Sequence, residues 1–179
     1  EPLVTVYGNE AVKKVYDWAH GITIGKIKDG YTFELLKAFQ SVRAGDYTVI
    51  PLPARHDDNE NCFIFVIRKG GKTILYGNDT GMLYEEVFDY LKKEQIYFDM
   101  VSLDCTMVEN PVSDEGTHLG IDGDVRVLKR FRENGNIDDK TRLFANHFSH
   151  NGNPMQERLE SLLLPHGIMP AYDGLEVEL

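Results

Sequence analysis

The chain has 179 residues, of which 42% are hydrophobic and 27% charged, with a formal net charge of −10. That length suits one domain, residues 1–179, burying roughly 70% of its unfolded surface. The acidic balance excludes non-specific nucleic-acid or anionic-membrane binding, which needs a basic footprint.

No stretch approaches the ~18 consecutive apolar residues of a membrane span, and no basic-then-apolar signal region opens the chain. Cys62 and Cys105 are the two cysteines. They imply no disulfide framework and a reducing, cytoplasmic setting. The sequence opens on Glu1 rather than Met, so further residues are expected upstream.

Strand and helix patterns alternate along the chain. Residues 3–7 read as a short apolar strand, and residues 10–19 as a helix after Gly8-Asn9. Residues 31–39 and 47–52 read as strands, separated by the turn chemistry of Ala44-Gly45-Asp46. Residues 62–68 and 72–76 flank Lys69-Gly70-Gly71 and predict a hairpin. Residues 82–93 place Leu83, Val87, Tyr90 and Leu91 on one helical face.

A buried strand is expected over 98–103, a polar loop over 109–117 and a helix over 121–133 with Val125, Leu128 and Phe131 inward. A strand over 142–145 precedes a helix over 154–164, which carries Pro in its first turn and stops before Pro165-His166-Gly167. Residues 174–179 read as a closing edge strand. The pattern is an α/β layered domain.

Three of the strand-like runs end in residues that bear chemistry. These are Ala54-Arg55-His56-Asp57, Gly77-Asn78-Asp79-Thr80-Gly81 and Asn146-His147-Phe148-Ser149-His150. Layered α/β proteins gather their sites at carboxyl ends of strands. Two imidazoles and a carboxylate there are donors suited to Zn, Mn or Fe. No His-x-His pattern occurs among the 179 residues, so the chain reads as one half of a metal site.

Each position also has a plainer reading. Asp79 could cap the helix over 82–93, and His147 and His150 could serve the turn before Gly152-Asn153-Pro154. His118 could stand at a helix entrance. Asp104 ends an apolar strand, where it either orients a histidine or caps a turn. His20 and His166 precede glycines and read as helix-terminal residues. Cys105 lacks a base beside it in sequence, which argues against a nucleophilic thiol.

In order and spacing, Val49-Ile50-Pro51-Leu52-Pro53-Ala54-Arg55-His56, Leu75-Tyr76-Gly77-Asn78-Asp79-Thr80-Gly81 and Phe144-Ala145-Asn146-His147-Phe148-Ser149-His150 resemble the later half of metallo-β-lactamase-fold hydrolases. The phosphodiesterase-like branch, which includes the phosphoribosyl cyclic phosphate phosphodiesterase, is the nearest subgroup in pattern. The resemblance runs over residues 3–179 and implies an αββα sandwich holding two divalent metal ions, Zn or Mn. It implies that His56 completes one metal site, Asp79 bridges both, and His147 completes the second.

The same resemblance implies that His118, in Thr117-His118-Leu119-Gly120, faces the substrate, with His150 nearby. Either could protonate a leaving oxygen while the cations lower the pKa of a shared water. The family's His-x-His-x-Asp-His segment is not in this sequence, so the isolated chain is expected to be inactive or nearly so. Two functions follow as expectations. One is a metal-dependent phosphodiesterase acting on a small phosphorylated substrate, for which the metal pair would reverse the local field. The other is a truncated binding or assembly module, with a homodimer covering its open surfaces.

Overall fold

The computed structural model describes residues 4–22, 30–57, 59–152 and 155–179, save the side chains of His20, Ile22 and Asn151. Leu3 and Pro154, the expected first residues of a strand and a helix, lie outside the described residues, as does the His20 side chain.

The first unit is β1 (Val4–Gly8), α1 (Glu10–Ile22) and β2 (Tyr31–Leu35), with β1 and β2 paired in parallel. Asn9 starts α1 by accepting the Val12 N–H on its side-chain oxygen at 2.9 Å. Its amide also reaches the Asn61 carbonyl at 2.8 Å and ties this unit to the rest.

The second sheet has seven strands in sequential order, running from β3 to β9. They are β3 (Val42–Ala44), β4 (Tyr47–Pro53), β5 (Phe63–Lys69), β6 (Lys72–Gly77), β7 (Met100–Asp104), β8 (Arg142–Asn146) and β9 (Met169–Pro170). β3 to β6 pair antiparallel, with tight turns between β3 and β4 and between β5 and β6 and a longer loop bearing His56 between β4 and β5; Gly70 and Gly71 both take positive φ in the β5–β6 turn. Such a two-residue turn matches the right-handed strand twist. From β6 onward the pairing is parallel. The crossovers contain α2 (Glu85–Lys93), α3 (Ile121–Asn134) and α4 (Gln156–Leu163).

Period-2 alternation decides which sheet face is buried. Ile50, Leu52, Ile64, Val66, Leu75, Val101, Leu103 and Leu143 point to one side. There they join Val87, Phe88 and Leu91 of α2 and Val127, Leu128 and Phe131 of α3 in one core. Phe63, Phe65, Ile67 and Ile74 point to the other side and are half-buried, and Tyr76 is exposed.

Several boundaries differ from the sequence pattern. β2 stops at Leu35, opposite Gly8 where its partner β1 ends; farther on, Phe39 takes a left-handed φ of 63° and its N–H bonds the Pro51 carbonyl. α2 opens at Glu85 rather than 82, with Tyr84 at its N-cap and no side-chain cap, so Asp79 does not cap it. The short strands β3 and β9 carry too little pattern to be read. Residues 174–179 form no strand and are attached through the Arg142 guanidinium on the Glu178 carbonyl at 2.8 Å.

Candidate metal centre

β4, β6, β7 and β8 all run in the same direction, since β4 and β6 are both antiparallel to β5 and β6 to β8 are parallel. Their carboxyl ends therefore share one edge of the sheet. His56 follows β4, Asp79 follows β6, Asp104 closes β7, and His147 follows β8. His118 comes from the β7–α3 connection.

At this edge the Asp79 carboxylate Oδ1 stands 3.2 Å from His147 Nε2 and 3.8 Å from His56 Nε2. Asp79 and His147 have positive φ of 52° and 58°. This region is open to Asp and His at modest cost, and such strain gathers at functional sites. Donors bound about 2.0–2.2 Å from zinc stand roughly 3.3 Å apart at tetrahedral angles, so the spacing around Asp79 fits a divalent cation.

Behind these groups lies Asp104, fully buried. Its Oδ1 accepts the Thr106 N–H at 2.9 Å, and its Oδ2 accepts the Thr80 N–H at 3.3 Å. Oδ2 also meets His118 Nδ1 at 2.8 Å and His147 Nδ1 at 3.4 Å. A carboxylate only accepts, so His118 carries its proton on Nδ1 and turns Nε2 outward. One donor atom each from Asp79, Asp104, His118 and His147 falls within 4.8 Å of the others. Asp104 is spent on backbone N–H groups and imidazoles, which makes it the organiser of this group. The three rings stand together, with His56 edge-on to His118 at 4.9 Å and His118 stacked on His147 at 5.8 Å.

The loops are locked to each other through backbone. Gly81 N–H donates to the Arg55 carbonyl at 2.8 Å, and the buried Thr80 hydroxyl accepts the Arg55 N–H at 3.2 Å. A Cβ on Gly81 would lie 1.7 Å from the Gly116 carbonyl oxygen. Glycine is thus required by the loop bearing Thr117 and His118. His56 Nδ1 sits 3.4 Å from the Thr117 carbonyl, which leaves its Nε2 toward Asp79.

The structure brings together His56, Asp79, His118 and His147 from the sequence expectation. His150 opens a 3-10 turn, His150–Gly152, and is exposed; neither it nor His56 is among the four residues, Asp79, Asp104, His118 and His147, whose donor atoms lie within 4.8 Å of one another. His166 ends the 3-10 turn Leu164–His166 before a left-handed Gly167, in keeping with a terminal role. Thr106 was not singled out by the sequence, since a threonine two residues after a strand-end aspartate carries no motif of its own. Burial pushes the Cys105 thiol well up, which removes it as a nucleophile. A cleft of about 630 Å³ opens beside His147, lined by Tyr76, Ser102, Phe144, Asn146 and Tyr172.

No family model matches the sequence, and no curated protein matches it. Solved structures do match. The metallo-β-lactamase fold protein YhfI from Bacillus subtilis superposes with a TM-score of 0.66 at 16% identity, over 98% of this chain and 65% of its own. Zn(2+)-bound PqqB from Methylobacterium extorquens gives 0.68 at 17%, over 99% and 65%. The short form of human tRNase Z gives 0.65 at 14%, over 98% and 67%. The chain spans about 65% of the length of the first two. Its fold is the metallo-β-lactamase fold.

Proposed function

We propose that this chain carries part of a divalent-metal site for hydrolysis of a small phosphodiester. His56, Asp79 and His147 are the metal donors, and His118, oriented by Asp104, is the proton donor. The reading rests on one observation, the convergence of Asp79 on two imidazole Nε2 atoms at 3.2 and 3.8 Å. One carboxylate facing two imidazole nitrogens is a donor set that a divalent cation can share.

A bound divalent cation supplies Lewis-acid activation of water and offsets charge on a phosphoryl group. The chain's own residues do the rest. Asp104 accepts from His118 Nδ1 and so keeps its Nε2 outward, where that nitrogen can pass a proton to a leaving oxygen. His150, exposed beyond His147, is the second candidate for that proton. The cleft beside His147 has the volume of a small-molecule site. A net charge of −10 disfavours a long polyanion, so a tRNA substrate, implied by the name of human tRNase Z for that protein, is the weaker option.

One carboxylate and two imidazoles leave much of a cation pair's coordination to solvent. The isolated chain therefore binds metal weakly and turns over little or nothing. Elemental analysis with Zn²⁺ and Mn²⁺ titration, alongside hydrolysis of bis(p-nitrophenyl) phosphate, tests this. Weak binding abolished by Asp79→Ala is expected. Two tightly held metal equivalents would overturn the partial site, and binding indifferent to Asp79 would overturn the metal reading.

Exposed apolar side chains favour a second reading, a module that assembles with a second copy. Val15 and Trp18 of α1 are 63% and 67% exposed. Light scattering that shows a monomer at high concentration would count against it.

A further inference from the structure

The Thr106 hydroxyl touches His147 twice, and counting its single proton fixes the state of that ring. Oγ1 lies 2.9 Å from the His147 carbonyl oxygen and 2.8 Å from His147 Nδ1. A carbonyl oxygen only accepts, so the hydroxyl proton must go to it. Oγ1 then has only a lone pair for Nδ1, and the ring must supply the proton there. The opposite arrangement would leave two oxygen acceptors facing each other at 2.9 Å with no proton between them.

We infer that Thr106 is a positioning residue that holds the His147 ring with a proton on Nδ1 and with Nε2 directed at Asp79. Thr106 is suited to this. It is buried at 8% exposure, and its own N–H is held by Asp104 Oδ1 at 2.9 Å. Its grip on the His147 carbonyl also supports the left-handed backbone, φ 58°, that turns the ring toward Asp79. The consequence for cation binding rests on the metal reading above, whereas the tautomer does not. A ring partner that fixes tautomer and orientation is worth about 10–100-fold in metal affinity where such contacts have been removed.

The experiment uses the metal-free chain with ¹⁵N-labelled histidine and long-range ¹H–¹⁵N correlation spectra, which distinguish the two tautomers. Wild type and Thr106→Ser are expected to show His147 protonated on Nδ1. Thr106→Val, nearly equal in volume and lacking the hydroxyl, is expected to show a mixture or the Nε2–H form. Zn²⁺ titration calorimetry should then show at least 10-fold weaker binding for Thr106→Val and restoration by Thr106→Ser.

A wild-type ring that is bare on Nδ1 and protonated on Nε2 would overturn the inference. An unchanged Nδ1–H tautomer in Thr106→Val would also overturn it, assigning the hold to Asp104 at 3.4 Å. The expected tautomers with no Zn²⁺ binding by wild type would support Thr106 and overturn the metal reading instead.

Discussion

Asp104 Oδ2 receives His118 Nδ1 at 2.8 Å from within a fully buried position, so one carboxylate serves both as a structural anchor and as the partner of an outward-facing imidazole. The two roles separate on substitution. Asp104→Ala leaves the N–H groups of Thr80 and Thr106 and His118 Nδ1 without their acceptor, and should cost about 3 kcal/mol in urea denaturation. Asp104→Asn keeps the shape. Its amide oxygen, turned to the ring side, can still accept from the Thr80 N–H and from His118 Nδ1, while its NH₂ cannot accept the Thr106 N–H. His118 should therefore stay protonated on Nδ1 in Asp104→Asn and lose that preference in Asp104→Ala; histidine ¹⁵N spectra that are the same in both variants would sink this account.

Gly81→Ala tests the lock between the Asp79 loop and the His118 loop. The added Cβ would meet the Gly116 carbonyl oxygen at 1.7 Å, and backbone rather than a flexible side chain must yield. Displacing it should cost more than about 2 kcal/mol. It should also shift the His118 and His56 ring resonances. Unchanged stability would mean that this packing is absent in solution.

The sequence displayed the parts of this fold that depend on periodicity. β4 to β6 show alternation, and α3 ends at a glycine with φ 77°, so their existence followed from local physics. β9 has two residues and exists because β8 offers an open edge, which no local pattern encodes. At the site, His56, Asp79 and His147 were visible because each closes an apolar run. Asp104 was visible as a strand-end residue, but its choice between orienting a ring and capping a turn needed three dimensions. It does both, through different oxygens. The hydroxyl of Thr106 was silent, because its meaning comes from a residue 41 positions away.

Asp79 pairs backbone strain with ligand chemistry, and the two come apart on substitution to glycine. Asp79→Gly relieves a φ of 52° but adds freedom to the unfolded chain. Stability without metal should therefore stay within about 0.5 kcal/mol of wild type, while Asp79→Ala, which retains a Cβ at that φ, should fall below it. Saturating zinc at about 100 times its dissociation constant stabilises a binding-competent chain by about 2.7 kcal/mol. That increment should vanish in both variants. A melting temperature that still rises with zinc in Asp79→Gly would remove Asp79 from the donor set.

Asp124 sits in the first turn of α3, fully buried, with neither carboxyl oxygen paired by hydrogen-bond geometry among the described residues and the Cys105 thiol beside it. Burial raises its pKa well above the usual carboxylate value, the Cys105 contact opposing this and the nearby Asp104 charge adding to it. Above the ordinary carboxylate range the folded chain keeps this proton while the unfolded chain releases it. The native state then binds more protons, and stability falls as pH rises, by up to about 1.4 kcal/mol per pH unit, until the folded pKa is passed. Asp124→Asn has no proton to lose and should remove that slope, so its advantage over wild type should widen from about pH 4 upward. Urea midpoints of the two proteins between pH 4 and pH 8 measure it. Curves that run parallel across this range would show that Asp124 ionises in the folded chain, with water or a cation reaching it.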